Sequence, residues 1–211
     1  LELKASPSVP PRGTVIEARV EAGRGPTATV LVRSGTLKVG QPFICGNYYG
    51  KVKSLIDDRG KNIKEAGPST PVQVIGFSGL PSAGDEFVAM DSEKAAKTLS
   101  EERLAALRQA KLAKPKTRAT LEGLFATMAA EQKKVLHVVL KADTQGTLEA
   151  IVGALGEIKS KKVDLEIIHS AVGPVSESDV LLATASNAVI IGFNVKVENN
   201  ASAAARRESI Q

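Results

Sequence analysis

From Ser92 to Lys114 the chain holds neither glycine nor proline, whereas both residues punctuate the sequence before this run at short intervals. The run, SEKAAKTLSEERLAALRQAKLAK, is rich in Ala, Glu, Lys and Leu, and it predicts one long helix after Asp91. Leu104 and Leu107 share a face, while most other positions are alanine or charged, which suits a helix lying on a surface. The helix divides the 211 residues into two parts of different patterning. Their length suits one large or two small domains, with enough chain to bury a core.

The first part reads as strands. In GTVIEARV, Gly13 to Val20, alternation puts Ile16, Ala18 and Val20 on one face and Glu17 and Arg19 on the other. In TATVLVR, Ala28, Val30 and Val32 point inward. GRGP supplies the turn between them, SGTLKVGQ turns the chain twice, and short strands follow at PFICG, YYGKVKSLI, PVQVIGF and EFVAM. Short strands at regular spacing, divided by Gly and Pro, predict a small closed antiparallel β-barrel. Closure removes the edges at which sheets aggregate.

The last part alternates strand and helix. KVLHVVLKA is a continuous apolar run, as in a strand covered on both faces. ADTQGT connects it to a helix whose stripe is Leu148, Ile151, Val152, Leu155 and Ile158. Asp143, Thr144 or Thr147 can accept hydrogen bonds from its first N–H groups, Glu149 lies near the positive end of its dipole, and Gly146 is assigned to the turn. VDLEIIHS is a second strand, AVGPV a turn, SESD (Ser176 to Asp179) a capping box opening a helix, and AVIIGFNV a third strand before the helical ASAAARRE. This βαβαβ order favours a parallel sheet.

Several functions find no support. Asp143 and Gly146 match the Asp-x-x-Gly of γ-phosphate sensors, but the phosphate loop GxxxxGK[ST] is absent. GNYYGKV, its nearest approach, has one residue too few between the glycines and Val52 in place of the hydroxyl. Asn-Lys-x-Asp, which would read guanine, is also missing. His137 and His169 lie in predicted strands with no ligand at metal spacing, so packed, hydrogen-bonded histidines are expected. Cys45 is the single cysteine; it cannot form an internal disulfide and reads as a small buried hydrophobe. No GxSxG, HExxH or paired-carboxylate arrangement appears, so catalytic, nucleotide-binding and metal residues are none. No apolar run is long enough for a membrane span, and a cytoplasmic protein is expected.

The net charge is +5, and its excess is local: residues 93–134 hold 10 Lys and Arg against 5 Asp and Glu. Within it, Lys111, Lys114, Lys116 and Arg118 flank Pro115. They read either as a solvated linker or as contacts to a polyanion. Beyond the proline, Leu121, Leu124, Phe125 and Met128 form a short amphipathic stripe.

RSGTLKVGQ, Arg33 to Gln41, is similar to the turn motif of the second, barrel domain of translational GTPases. VVLKADTQGTLEAI with AVGPVSESDVLLATASNAVIIGFNVK closely resembles the third domain of bacterial translation initiation factor 2. The resemblance covers nearly the whole chain. It implies a linker at 1–11, a β-barrel at 12–92, a basic helical connector at 93–133, an α/β/α domain with a parallel sheet at 134–198, and the truncated start of a helix at 199–211. It also implies that the nucleotide-binding domain and the initiator-tRNA-binding domain of the full-length factor lie outside the chain, with GTP and magnesium belonging to the former. The implied partners are the small ribosomal subunit and its ribosomal RNA, with initiator tRNA reached only through the absent domain, no membrane, and a monomeric state. Arg24, Lys38, Lys51 and Lys53, in or beside barrel turns, are candidates for ribosomal RNA contact, and the connector cations are a weaker set. The alternative is a protein-binding scaffold or adaptor without direct RNA contact.

Overall fold

The computed structural model describes residues 4–21, 23–113, 134–158, 160 and 163–208. The chain forms two compact units, residues 1–110 with 144–146, and residues 111–143 with 147–211. The Leu121 to Met128 stripe lies outside the described residues.

The first unit contains β1 (Arg12–Glu21), β2 (Gly25–Ser34), β3 (Leu37–Lys38), β4 (Pro42–Cys45), β5 (Tyr48–Ile56), β6 (Asn62–Ile63), β7 (Glu65–Ala66), β8 (Pro71–Phe77) and β9 (Glu86–Ala89). Antiparallel pairing runs β4-β9-β1-β2-β8-β5, and β5 returns to β4, which closes a six-stranded barrel. β6 extends from β5, and β3 pairs with β7. Three aromatic rings fill the centre. Phe43 stacks on Phe87 with centroids 4.5 Å apart and meets Phe77 edge-on at 4.8 Å, the offset and T-shaped contacts that ring quadrupoles favour.

Ala28, Val30 and Val32 are buried on β2 as the alternation predicts. On β1 the expectation fails at Ile16, which is 53% exposed while Val15 and Ala18 are buried. The register against β2 shifts between Val15 and Glu17. This bulge adds one residue and changes the phase of the alternation, so the inward set is Gly13, Val15 and Ala18.

Helix α1 (Glu93–Ala113) opens where the Ser92 hydroxyl accepts the Ala95 N–H at 3.1 Å. Its docking face differs from the leucine face read in sequence. Leu107 is exposed, whereas Ala96 and Ser100, one turn apart, are buried. The Ser100 hydroxyl donates to the Asn47 carbonyl at 2.6 Å, and the Arg103 guanidinium donates to the Gly46 carbonyl. Small residues allow close approach to the β4–β5 turn, and the two donors satisfy its carbonyls.

The second unit contains β10 (Lys134–Ala142), all but the first two residues of α2 (Gln145–Glu157), β11 (Val163–Val172), α3 (Glu177–Ser186), β12 (Ala188–Phe193) and α4 (Asn199–Glu208). β10 is central, parallel to β11 on one side and β12 on the other. Val138, Leu140 and Ala142 pack with Leu148, Ile151, Val152 and Leu155. Val139 turns the other way to meet Ala183 and Ala188. Three local expectations are corrected. Ile158 follows the end of α2 and is 59% exposed. Gly146 lies inside α2 without a positive φ. β11 continues through Ala171 and Val172, so the reversal falls at Gly173, whose φ of +115° suits glycine.

Candidate nucleic-acid interface

Lys51 and Lys53 lie on β5, exposed on either side of buried Val52. Against β8, Gly50 pairs with Phe77 and Ser54 with Ile75, so four steps along β5 match two along β8. The additional residues form a bulge that pushes both lysines outward. Gly76 makes this possible: it has a φ of +125°, and a β-carbon there would collide with the Lys51 carbonyl and crowd the Lys53 stem. Among the described residues, neither lysine has an ion-pair partner.

Lys38 approaches the same bulge through its turn. Gly40 N–H donates to the Val52 carbonyl at 2.8 Å, and Val52 N–H donates to the Gln41 carbonyl at 2.9 Å. The Lys38 ammonium is paired with Glu65 at 3.5 Å, both ends more than half exposed, so solvent screens the pair. Sequence reading missed Lys64. Its carbonyl accepts the Val39 N–H at 3.0 Å, which sets exposed Lys64 beside Lys38. No alternating run marked the two-residue strands on either side of it.

Arg24 sits in the β1–β2 turn. Thr27 stands opposite Ile75, and Ile75 opposite Ser54, so this turn lies off the same end of the strands as Lys53 and Lys51. Arg24 is committed to Glu21 at 3.1 Å, and Glu21 also takes Arg19 at 2.8 Å and the Gln73 amide at 2.7 Å. Burial pushes the Glu21 carboxyl up, but the hydrogen bonds from Gln73 and Arg24 and the nearby arginines more than reverse this and hold it below the ordinary range. The structure thus gathers Lys38, Lys51 and Lys53 around one bulge and leaves Arg24 in a separate ion pair. The Lys111 side chain, Lys114, Lys116 and Arg118 lie outside the described residues.

In the second unit His137 is hydrogen-bonded as sequence patterning predicts, whereas His169 is 43% exposed and lies beyond hydrogen-bond distance of its carboxylate neighbour. His137 Nδ1–H donates to the Ser186 carbonyl at 2.9 Å, and its Nε2 is 3.4 Å from Glu166. His169 Nε2 is 3.8 Å from Asp179. Asp179 reaches back to the Ser176 N–H at 2.8 Å, the carboxylate half of a capping box. It is also paired with buried Lys141 at 3.1 Å, a partner that sequence reading missed. The signal was a lysine inside the apolar run VVLKA. Asp143, weighed above as a phosphate sensor, accepts the Asn194 amide at 2.6 Å. No helix among the described residues is long and apolar enough to cross a membrane.

Comparison with known proteins assigns both parts of the chain. A family model described as translation-initiation factor 2 matches residues 110–211, and one described as elongation factor G domain 2 matches residues 10–90. Over 210 residues, 100% of this chain, it is 50% identical to translation initiation factor IF-2 of Caldanaerobacter subterraneus subsp. tengcongensis, of which it covers 30%. It is also 50% identical over 210 residues to the IF-2 of Desulforapulum autotrophicum, of which it covers 20%. A crystal structure of GDP-bound aIF5B from Aeropyrum pernix is 26% identical, with a TM-score of 0.46, over 96% of this chain and 34% of that one. The chain therefore spans less than a third of the length of these two IF-2 relatives. With one family model matching the barrel, another matching the rest, and 50% identity along the full sequence, the chain belongs to the bacterial translation initiation factor 2 family.

Proposed function

We propose that this chain supplies the central docking and coupling domains of a cytoplasmic translation initiation factor. The barrel, residues 12–92, leans on ribosomal RNA of the small subunit. The helical connector, 93–133, and the α/β/α domain, 134–198, couple a GTP- and magnesium-binding domain to an initiator-tRNA-binding domain elsewhere in the full-length protein. The chain itself carries no catalysis and acts as a monomer. The observation that supports this most is the pair Lys51 and Lys53, exposed on one bulge with no carboxylate partner among the described residues. A phosphate backbone reads charge and position rather than base edges, and two cations pushed out from a rigid strand supply both. Lys38 is the third cation of the set, since an exposed pair with Glu65 exchanges readily for a phosphate. Arg24 is the fourth, and the connector cations Lys111, Lys114, Lys116 and Arg118 form a weaker second set.

Cosedimentation of the purified chain with small ribosomal subunits across a salt series, with and without GTP, tests this reading. Binding should weaken as salt rises and be indifferent to GTP. Lys51→Glu with Lys53→Glu should weaken binding and lower the salt slope by about two. An unchanged slope would remove the lysines from the interface. Absence of binding even at low salt would leave the chain the coupling role alone.

A further inference from the structure

Helix α3 is held to its sheet by few apolar side chains. Of its ten residues, Val180 and Ala183 are buried, whereas Leu181 and Leu182 are 51% and 37% exposed. The remaining buried residue is Asp179. Its Oδ2 receives the Ser176 N–H at 2.8 Å, the Ser176 hydroxyl at 2.8 Å and the Lys141 ammonium at 3.1 Å. Lys141 belongs to the central strand β10, and its side chain is 9% exposed. A charge sits there because Asp179 neutralises it, and removing either partner would strand the other in the interior.

The other oxygen, Oδ1, faces His169 Nε2 at 3.8 Å, and this imidazole is 43% exposed. A second bulge aims it there. Along β10 and β11, Val138 stands opposite Ile167, but Val139 stands opposite His169, so Ile168 is additional. Ile168 packs with Val139 and Ala183 on the α3 face. Strict alternation would turn the next residue toward α2, and the bulge brings it to α3 instead.

We propose that Lys141, Asp179 and His169 form a proton-sensitive latch that ties α3 to the sheet. Lys141 is its permanent cation and His169 its switchable one. When His169 gains a proton, a second positive charge stands beside the Asp179 carboxylate. That added attraction exists only while the imidazole carries its proton. The charged groups beside the imidazole are Asp179 of α3, with exposed Glu177 two residues earlier, and Lys141 of β10, which shares the Asp179 carboxylate. On β11, Glu166 is engaged with His137. Further along the chain are Lys196 and Glu198 after β12, and Arg206, Arg207 and Glu208 at the end of α4. Among the described residues, Asp179 is the one carboxylate within ion-pair distance of His169.

Hydrogen exchange of the 211-residue chain, corrected for intrinsic rates, tests the latch by comparing amides 180–186 of α3 with amides 138–142 of β10. From mildly alkaline to mildly acidic pH, protection of α3 relative to β10 should rise about two- to fivefold, the range of a partly exposed ion pair. His169→Gln, which leaves the buried pair intact, should abolish that rise while α3 stays folded. Asp179→Asn should cut α3 protection by about a hundredfold or more. The latch is refuted if His169→Gln keeps the same pH response, or if α3 and β10 gain protection in parallel.

Discussion

A β-carbon on Gly76 would lie 2.0 Å from the carbonyl oxygen of Lys51. Reciprocally, a β-carbon on Gly50 would lie 2.3 Å from the carbonyl oxygen of Gly76. These two glycines let β5 and β8 approach where the register slips, and the slip sets the outward course of Lys51 and Lys53. Backbone conformation and surface charge are therefore linked at this point of the barrel.

Gly76→Ala should destabilise the barrel by about 3 kcal/mol or more, because it combines a strained positive φ with a contact to backbone that cannot rotate away. Denaturant titration followed by a barrel-specific probe would measure this. A midpoint equal to that of the unsubstituted chain would mean that the strands relax and that the bulge does not depend on glycine.

The bulge on β1 predicts an inversion of the usual ranking by hydrophobicity. Val15→Ala should cost about 2 kcal/mol, since it empties space in the core. Ile16→Thr, one residue on, should change stability by less than about 0.5 kcal/mol because Ile16 already faces solvent. Thermal unfolding of the two variants would decide it, and equal losses would place Ile16 in the core after all.

These bulges mark where sequence reading stops. Alternation in TATVLVR, the apolar run VVLKA and the Leu148 stripe were legible because a strand or helix repeats its environment at a fixed period. The closed barrel and the parallel sheet followed from those periods. The extra residues at Ile16, within 51–53 and at Ile168 were not legible, since they arise from pairing with a distant strand and leave no local pattern. The docking face of α1 was hidden for a different reason. Ala96 and Ser100 carry little hydrophobicity, and their value lies in letting the helix approach the Gly46–Asn47 carbonyls. The candidate lysines were found by chemistry and turn position, but their separation from Arg24 needed the register. Lys141 passed without notice inside a run read as continuously apolar, and its partner Asp179 came to light only in the structure.

Cys45 should behave as part of the barrel core. It is 0% exposed, and its thiol is pushed up to about 12, first by burial and then by the nearby Asp85 carboxylate. The reactive thiolate is thus suppressed twice, by access and by charge. A thiol reagent should label the native chain only as fast as the barrel opens, and denaturant should raise the rate in step with unfolding. Rapid labelling of the folded chain would show an opening near β4 that bypasses global unfolding.

Asp179 makes the last prediction, and it has the opposite sign to that for His169. Burial pushes the Asp179 carboxyl up, but the two hydrogen bonds from Ser176 and the neighbouring Lys141 more than reverse this, so its folded value lies below the ordinary one. The unfolded chain therefore takes up the proton first as pH falls. The stability supplied by the ionised carboxylate is present above the unfolded value, about 4, and is lost as pH falls through the lowered folded value. Attachment of α3 should consequently hold while Asp179 is ionised and fail in strong acid. Lys141→Met combined with Asp179→Leu removes both buried charges together, so it should retain most of the stability at neutral pH while flattening the acid side of the curve. Asp179→Asn alone leaves Lys141 buried without its counter-charge and should cost about 3 to 5 kcal/mol. Denaturant midpoints of these variants over an acid series separate the cases. A double variant as unstable as Asp179→Asn would show that shape, rather than the stranded charge, sets the cost.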